Sequence, residues 1–439
     1  MTRATVSFSP VEALEPGELL ALQRERFAAQ WLHLWGDSVF YRRKLKAAGL
    51  SRDRVPDLQD LEGVPFTEKT EIRASQDAAP PLGEHLAVAP AAVRQVQMSS
   101  GTSGRPSMVP LTAADAAGWA EIIRRGYVAV GFTPDDTILH GFGMSRGWSG
   151  GLPMVEGILA LGATVLPLGA EAGSDRILNA MEMLRPSGLQ GSPGFLHALG
   201  ARAHERGLDP SGLGVRAILT GGEPGGGIPS VRNALQEMWG ARVCEVMGGS
   251  DLVVLMWAEC PNQDGMHFVA PDAVHAEIVD PTTDQSLPIE TGTQGELVYT
   301  HLTREAAPLL RFKHRDLVSV LGTGLCSCGR RTPRIRCNGR SDDMLIVKGV
   351  NLFPSAIQEV LAGAVGPSPV FRIRRPRGQY VLPGPVELKV EASEREERRR
   401  TALEKVLHDA LACRFAVTLV ETGSLTAPGA TKAVFFEEV

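Results

Sequence analysis

Residues 137–168, TILHGFGMSRGWSGGLPMVEGILALGATVLPL, contain the pattern from which the fold is predicted. The apolar run at 137–140 predicts a strand that ends in a glycine-rich segment, 141–151. Residues 153–161 then predict a helix, and 163–168 predict a second strand. A strand, a helix and a strand at this spacing are typical of a right-handed crossover between parallel strands.

The same alternation continues further along the chain. Strands are predicted at 217–220 and 243–247, and helices at 195–203 and 231–239. We therefore expect an α/β fold with a doubly wound, mostly parallel sheet, in which ligands bind at the carboxyl ends of strands.

The pattern of apolar and polar residues changes near residue 274. Short alternating strands joined by turn residues predict an antiparallel β subdomain over about 274–338. A chain of 439 residues exceeds what one hydrophobic core usually covers, so we expect two domains. Residues 1–339 would form the large N-terminal domain, and residues 340–439 a small α+β C-terminal domain.

Composition limits the class of function. Hydrophobic residues make up 43% of the chain and charged residues 22%, which is ordinary for a globular protein. The net charge of -5 lacks the basic balance that is typical of nucleic-acid binding. Residues 1–10 have no apolar signal core, and no apolar run approaches the length of a membrane span. We therefore expect a cytoplasmic protein with neither a nucleic-acid nor a membrane partner.

The segment SSGTSGRP, residues 99–106, lies between two predicted strands. Its small residues let the backbone turn sharply and expose N–H groups, and its hydroxyl groups add further donors, so such a loop can wrap a polyphosphate. It lacks the G-x-x-x-x-G-K-[ST] spacing of a Walker loop. An ordinary hairpin turn is the alternative interpretation.

Glycines and an acid follow two of the predicted strands. The sequences are GGEP at 221–224 and GGSD at 248–251. A carboxylate near a polyphosphate is the usual way in which Mg²⁺ is held, so Asp251 is a candidate magnesium ligand. The alternative for either acid is a loop residue that caps a helix.

The cysteines indicate a metal. Six cysteines in so long a chain do not make a disulfide framework. Cys260, His267, Cys326 and Cys328 together offer three thiolates and an imidazole, which matches a closed structural Zn²⁺ site. Cys337 is an alternative ligand, and unrelated reduced thiols are the alternative interpretation.

Several ordered motifs together resemble a phenylacetate–CoA ligase-type member of the acyl-adenylate-forming superfamily. They are residues 99–106, 222–224, RFKHRDL at 311–317 and GRSDDMLI at 339–346, which continues to residue 355. The resemblance covers nearly the whole chain. It implies that a carboxylic acid is activated by ATP to an acyl-adenylate and then transferred to coenzyme A or another acceptor.

The resemblance also assigns roles to residues. It implies that ATP and Mg²⁺ bind, that Asp251, Arg340 and Lys432 are catalytic, and that Asp342 is the hinge about which a mobile small domain rotates between the two steps. Glu223 and its neighbours would lie along the adenine, and Asp316 would accept hydrogen bonds from the ribose. The implied nucleotide-binding residues are Ser99, Ser100, Gly101, Thr102, Ser103, Gly104, Gly222, Glu223, Pro224, Asp316, Lys348 and Gly349.

The acid is expected to bind beside the glycine-rich segment 141–151, which matches the family's substrate-lining region. Its aromatic residues suit an aryl or arylacetic acid. An ordinary structural role is the alternative for each of these residues. The candidate substrate residues are His140, Phe142, Arg146, Trp148 and Gly248.

Two departures from the family pattern stand out. Residues 247–251, MGGSD, replace the usual Tyr-Gly-x-Ser-Glu. The aromatic side chain is therefore missing, and the side chain of Asp251 is shorter than that of Glu. The family's C-terminal lysine normally follows a glycine, but here Gly429 is followed by Ala430, and Lys432 comes two positions later. We expect Lys432 to take the lysine's role, and the alternative is that the first step depends on Arg340.

Other functions remain open at this point. They are adenylation with transfer to a carrier-protein thiol or an amine, nucleotidyl transfer, and nucleotide binding without catalysis. The expected partner is a small-molecule carboxylic acid, with a carrier protein and a homodimer as further candidates.

Overall fold

A computed structural model describes residues 7–99, 106–348, 350–366, 368–377, 379–393, 395–425 and 434–439, and for Arg146 and Asn351 the backbone alone. The helices within these ranges are α1 (Pro16–Asp37), α2 (Val39–Ala47), α3 (Lys69–Ala78), α4 (Ala113–Val130), α5 (Leu152–Leu161), α6 (Ser174–Leu184), α7 (Pro193–Glu205), α8 (Pro229–Trp239), α9 (Pro354–Val365) and α10 (Glu397–Leu411). The first strands are β1 (Gln95–Met98), β2 (Met108–Leu111), β3 (Thr137–His140), β4 (Thr164–Leu166), β5 (Gly188–Gly191), β6 (Ala217–Thr220), β7 (Arg242–Met247), β8 (Trp257–Glu259), β9 (Met266–Phe268), β10 (Val274–Val279), β11 (Ser286–Leu287), β12 (Gln294–His301), β13 (Phe312–Gly322) and β14 (Arg334–Arg340). The remaining strands are β15 (Leu345–Val347), β16 (Val350–Leu352), β17 (Phe371–Arg375), β18 (Val381–Leu382), β19 (Val386–Glu391), β20 (Phe415–Val420) and β21 (Phe436–Glu438).

One long sheet forms the centre of the fold. Its strand order is β11-β10-β12-β13-β14-β9-β8-β7-β6-β5-β3-β4. Strands β3 to β7 pair in parallel, and helices α5 to α8 connect them. The predicted α/β class and its parallel, crossover-built half are therefore confirmed.

Helices cover the parallel half in two groups. Side chains of α4 and α5, including Trp119 and Met154, lie in one buried cluster. Side chains of α6, α7 and α8, including Leu178, Leu199 and Trp239, lie in another. Strand β6 lies between these layers, and all four of its residues are buried.

The antiparallel strands after residue 274 belong to this same sheet. Strand β7 pairs with β8, β8 with β9, and β9 with β14, and each of these pairings is antiparallel. Strands β10, β12 and β13 continue the sheet beyond β14. Hydrogen bonds through β9 and β8 therefore connect the predicted β subdomain to the parallel strands. The division of the chain into domains at residue 340 stays a prediction.

The C-terminal part has an apolar core of its own. Strands β15, β16 and β18 form a three-stranded sheet, and β17, β19, β20 and β21 form a four-stranded sheet. Leu345, Ile357, Leu388 and Leu407 are buried together between these strands and helices α9 and α10.

Several elements are absent from the sequence-based expectation, and helix α6 and strand β21 are two of them. Helix α6 is not predicted, because its apolar side chains Met183 and Leu184 are exposed and blur the helical periodicity. The three-residue strand β21 is too short to give an alternating pattern. No helix in the described ranges combines the length and the apolar character that crossing a membrane requires.

Candidate functional site

Two serines close the base of the β1–β2 hairpin, which carries the predicted phosphate-binding loop. The N–H of Ser99 donates to the carbonyl of Ser107 at 3.0 Å, and the N–H of Ser107 donates to Oγ of Ser99 at 2.9 Å. Both serines are buried. The predicted strands on either side of this loop are confirmed, and its ends are held together by hydrogen bonds.

Asp251 is hydrogen-bonded to this hairpin base. Its Oδ1 accepts from Oγ of Ser107 at 2.9 Å, and its Oδ2 accepts from Nζ of Lys69 at 2.6 Å. The segment between Asp251 and strand β8 contains no helix, so the helix-capping interpretation of this residue is wrong. The carboxylate instead joins the hairpin to helix α3.

The environment of Asp251 keeps its carboxyl charged. Burial by itself would raise the pKa of Asp251, but the charge and hydrogen bond of Lys69 and the hydrogen bond of Ser107 outweigh it, so this pKa is lowered. A charged, partly desolvated carboxylate is the oxygen donor that a divalent cation prefers. Asp251 therefore fits the role of a magnesium ligand, with Lys69 as its present counter-charge.

Lys69 is a functional candidate that the sequence analysis missed. It is the first residue of α3, two positions beyond Thr67. A lysine in the first turn of a helix opposes the helix dipole, which favours acids there. A lysine at this unfavourable position could therefore have marked Lys69 as a functional candidate in the sequence.

Close approaches of the backbone explain two glycines beside Asp251. A Cβ at Gly248 would lie 2.4 Å from backbone atoms of Val253 and Val254. A Cβ at Gly249 would lie 2.1 Å from Nε2 of His314. Gly248 thus has a packing reason to be glycine, and its predicted contact with the acid stays a prediction.

The predicted aromatic wall is assembled at the ends of β3 and β6. The rings of Phe142 and Trp148 meet edge to face with centroids 6.1 Å apart, and Phe142 meets His140 at 6.0 Å. A Cβ at Gly222 would lie within 4 Å of both Phe142 and Trp148. The structure therefore brings the candidate acid-binding residues next to the candidate adenine-binding loop.

His140 is a neutral donor in this wall. Its Nδ1 accepts from the side-chain amide of Gln190 at 2.5 Å, so Nε2 carries the proton. Burial lowers the pKa of His140 to about 4. Nε2 has no hydrogen-bond partner among the described residues. It is therefore available to a polar group of a ligand, but it offers no positive charge to a carboxylate.

The adenine-loop candidates contact two neighbouring elements. Oε1 of Glu223 accepts from the N–H of Gly194 in the first turn of α7 at 2.8 Å, so this acid caps a helix other than the one that follows it. The carbonyl of Pro224 accepts from Nε2 of Gln358 in α9 at 3.4 Å.

Asp316, Arg340 and Asp342 form a chain of ion pairs. Asp316 and Arg340 face each other across strands β13 and β14, with Nη1 3.3 Å from Oδ1. Arg340 donates to both oxygens of Asp342 at 2.8 Å. Burial acts against the charged form of Arg340, but Asp316 and Asp342 together raise its pKa. Oδ2 of Asp316 also lies 2.6 Å from Nδ1 of His314. The arginine therefore connects the predicted ribose acceptor to the predicted hinge.

Several predicted residues lie outside the described residues. Lys348 is described: it is exposed, at the β15–β16 turn, with a positive φ of 51°. The side chain of Arg146 lies outside the description. The undescribed candidates are Ser100, Gly101, Thr102, Ser103, Gly104, Gly349 and Lys432.

The four predicted zinc ligands come together in one cluster, which we call the Cys–His cluster (Cys260, His267, Cys326 and Cys328). Their ligand atoms all lie within 4.8 Å of one another. The sulfurs of Cys260 and Cys326 are 3.9 Å apart, and that of Cys328 is 3.5 Å from Nε2 of His267. On a tetrahedral Zn²⁺ with its usual bond lengths, these separations would be about 3.8 Å and about 3.6 Å. The donor set and its spacing therefore fit zinc.

Neighbouring donors support the same interpretation. Nδ1 of His267 lies 3.4 Å from the carbonyl of Thr332, which leaves Nε2 free to bind a metal. Asn262 donates to the sulfur of Cys326 at 3.3 Å, and Arg330 to that of Cys328 at 3.7 Å. The alternative ligand Cys337 is not in the cluster, since its thiol lies 3.7 Å from the carbonyl of Gly339.

Comparison with known proteins agrees with the sequence resemblance. Residues 39–302 match the AMP-binding enzyme family. The phenylacetate-coenzyme A ligase of Thermus thermophilus is 33% identical over 88% of this chain and 84% of its own. The phenylacetate-coenzyme A ligase of Escherichia coli is 32% identical over 83% of this chain and 80% of its own.

A solved structure extends this likeness to the whole chain. The 2-hydroxyisobutyryl-CoA ligase in its postadenylation state has a TM-score of 0.88 and is 28% identical, covering 98% of this chain and 91% of its own. In its thioesterification state the same ligase gives a TM-score of 0.72. The described arrangement is thus nearer to the postadenylation state. Because the family match spans more than half of the chain and curated relatives exceed 30% identity over most of it, this protein belongs to the AMP-binding enzyme family, as a phenylacetate–coenzyme A ligase-type member.

Proposed function

We propose that this protein is an AMP-forming acid–coenzyme A ligase whose substrate is an aryl or arylacetic acid. The acid's carboxylate attacks the α-phosphate of ATP, which gives an acyl-adenylate and pyrophosphate, and the thiol of coenzyme A then displaces AMP. The observation that carries this proposal is the charged, buried carboxylate of Asp251 at the base of the hairpin bearing residues 99–106. Its relatives named phenylacetate-coenzyme A ligase support it.

The first step brings two anions together, so positive groups and N–H donors must offset the charge on the phosphates. In the proposal, residues 99–104 supply backbone and hydroxyl donors, and Asp251 holds Mg²⁺. When bound, this ion would neutralise phosphate charge. Lys69 keeps Asp251 ionised and places a second positive charge next to the phosphate-binding hairpin.

The class of acid is proposed from the aromatic wall. Phe142 and Trp148 offer apolar ring surface on which an aryl group can pack, and Gly222 leaves room beside both rings. The unpaired Nε2–H of His140 would donate a hydrogen bond to an acceptor atom of the acid. A small aliphatic acid, as in the name of the similar 2-hydroxyisobutyryl-CoA ligase, would leave this ring surface uncovered.

The second step is proposed to follow a rotation of the C-terminal part about Asp342. Arg340 holds Asp342 by two hydrogen bonds and also contacts Asp316. A ribose hydroxyl that donates to Asp316 would compete with Arg340 for this carboxylate, and would loosen the link between Asp316 and the proposed hinge at Asp342. The likeness to the postadenylation state of a related ligase fits a conformation that precedes the rotation.

We also propose that the Cys–His cluster binds a structural Zn²⁺. Three of the four residues of the cluster are buried. None of the four is assigned to ATP, the acid or coenzyme A. A closed set of three thiolates and one imidazole is typical of zinc that stabilises a fold.

The proposed function is tested by ATP–pyrophosphate exchange with single acids. Phenylacetate, benzoate and 2-hydroxyisobutyrate are supplied separately with ATP and Mg²⁺, and coenzyme A is then added while thioester is measured. We expect exchange and thioester with the aryl or arylacetic acids, and at least tenfold lower kcat/KM with 2-hydroxyisobutyrate.

The matched control is a pair of variants at the aromatic wall, Trp148→Phe and Trp148→Ala. The smaller ring should retain the preference for aryl acids, and alanine should raise KM for these acids with little change in the KM for ATP. Exchange without any acid dependence, or an adenylate that never transfers to coenzyme A, would contradict the ligase proposal.

A further inference from the structure

A cavity of about 180 Å³ lies between helices α1 and α4 and the segment that ends strand β12 and follows it. Arg26, Asp115, Arg125, His301 and Arg304 are among its lining residues. None of the residues assigned to the nucleotide, the acid or the Cys–His cluster lines it. The cavity therefore has no role in the function proposed above.

Arg304 is buried at this cavity with part of its guanidinium group unpaired. Only 4% of the residue is exposed. Its Nη2 donates to the carbonyl of Pro110 at 2.9 Å, and its guanidinium carbon lies 5.0 Å from the centre of the Trp119 ring. Nε and Nη1 have no hydrogen-bond partner among the described residues, although Nε lies 3.6 Å from Oδ2 of Asp115.

His301 adds a second unpaired donor. Its Nδ1 accepts from the N–H of Leu309 at 3.0 Å, so Nε2 must carry the proton of the neutral ring. The residue is 3% exposed, and Nε2 has no partner among the described residues. Buried polar groups are normally hydrogen-bonded, so two such donors at one cavity indicate a ligand with acceptor atoms.

The acids of the cavity already have partners. Asp115 accepts hydrogen bonds from the backbone N–H groups of Thr112, Glu305 and Ala306. The other two lining acids are held by arginines: Asp272 pairs with Arg26 and Arg125, and Glu121 pairs with Arg124 and Arg125.

Among the arginines that line the cavity, Arg304 therefore has the largest number of N–H groups without a hydrogen-bond partner in the described residues. Burial lowers its pKa to about 10, and Asp115 only partly offsets that effect. The guanidinium remains charged at neutral pH, with an imidazole N–H lining the same cavity.

We propose that this cavity is a binding site for a small oxyanion, a carboxylate or a phosphate group, whose oxygens accept from Nη1 of Arg304 and from Nε2 of His301. Both donors are held in the buried part of the fold, and a hydrogen bond from a charged guanidinium to an anion is stronger than one between neutral groups. At about 30 Å³ per molecule, the cavity has room for about six waters, so a small anion fits within it.

The cavity opens to solvent beside helix α4. Ala114, Gly118 and Thr303 line it and are exposed. A Cβ at Gly118 would meet no atom within 4 Å, so a side chain at this position is accommodated without a clash. The variants Gly118→Glu and Gly118→Gln therefore place equal bulk at the opening and differ in charge.

The test is isothermal titration of the full chain with inorganic phosphate and, separately, with acetate. Ionic strength is held constant with chloride, and the nucleotide site is kept saturated with ATP. We expect saturable binding of at least one of the two anions, and the tighter one identifies whether phosphate or carboxylate is preferred. Affinity should be about fivefold weaker in Gly118→Glu than in Gly118→Gln, because the added carboxylate repels the anion.

A third variant tests the donor itself. His301→Phe keeps an aromatic ring of similar size but removes the N–H, and we expect at least tenfold weaker binding with an unchanged KM for ATP. A crystal structure at the saturating anion concentration should show the anion against Arg304. Equal affinities in all three variants and the unaltered chain, no saturable binding of either anion, or waters alone in the cavity at that concentration would overturn the proposal.

Discussion

The carboxylate site at Asp251 and the Cys–His cluster are both buried polar sites, but they are assembled over different distances in the chain. The partners of Asp251, Lys69 and Ser107, lie 182 and 144 residues away in sequence. In the Cys–His cluster, Cys260 and Cys326 are 66 residues apart in sequence, and all four ligands come from strands and turns of one antiparallel region.

The two sites also differ in what their residue types disclose. Three cysteines and a histidine have few uses together besides metal binding, so the composition of the cluster already indicates zinc. An aspartate has many uses, and only its partners reveal that Asp251 is charged and attached to the base of the β1–β2 hairpin. We therefore expect changes at Asp251 to alter catalysis, and changes in the cluster to alter stability.

The largest effect is expected from Asp251→Ala. Loss of the carboxylate removes the proposed magnesium ligand, so ATP–pyrophosphate exchange should fall by about 10³-fold. The melting temperature serves as the measure of an intact fold. Asp251→Glu is the matched control, because it keeps the charge and should retain more activity than the alanine variant. Normal exchange in Asp251→Ala would leave this residue with a structural role alone.

Lys432→Ala tests whether a lysine near the C-terminal end of the sequence also contributes to the catalytic site that contains Asp251. We expect adenylate formation to slow by roughly 10²–10³-fold, the scale of losing one charge-stabilising donor. Thioester formation from a supplied acyl-adenylate should be nearly unaffected, which single-turnover assays of each half-reaction measure. Lys405→Ala, at an exposed lysine, is the control. If the variant and the unaltered protein have equal rates in both half-reactions, Lys432 has no catalytic role.

Lys69→Met tests whether the lysine keeps Asp251 ionised. Without this charge, burial raises the pKa of Asp251, so the carboxylate is protonated at a higher pH than in the unaltered protein. Activity and stability that depend on the ionised form are present above that pKa and are lost as the pH falls through it. We expect exchange at neutral pH to fall about tenfold and the acidic limb of its pH profile to shift upward.

Lys69→Arg is the control for this prediction, because it retains the charge and should keep the acidic limb near its original position. A profile that does not move in Lys69→Met would show that Ser107 and the bound ion suffice to hold the carboxylate ionised.

The smallest effect on rate is expected from Cys326→Ser. The purified protein should contain about one Zn²⁺ per chain by elemental analysis, and the variant should contain less. Losing a few kcal/mol of metal binding should lower the melting temperature by about 5–10 °C, with exchange at 25 °C within about threefold of normal. Cys337→Ser is the control, since this thiol lies outside the cluster. A metal-free protein of equal stability would contradict the zinc proposal.

Local sequence patterns predicted much of this fold. The apolar runs and glycine breaks of residues 137–168 predicted β3, α5 and β4 to within one or two residues, because a parallel strand is apolar on both faces. The ends of helix α4 are also set by local residues, since Thr112 caps it and Gly131 ends it in a left-handed conformation. Where apolar side chains are exposed, as in α6, the same signal failed.

Residue types and spacing also indicated the phosphate-binding hairpin, Asp251 and the zinc ligands, because the chemistry of these groups is intrinsic to them. Tertiary structure alone decided which groups meet. It placed Lys69 on Asp251, His314 over Gly249, and the unpaired donors of Arg304 and His301 around one cavity. It also joined the antiparallel strands to the parallel sheet through β8 and β9. Contacts between segments far apart in sequence depend on packing and on the burial of charge, and no local pattern records either.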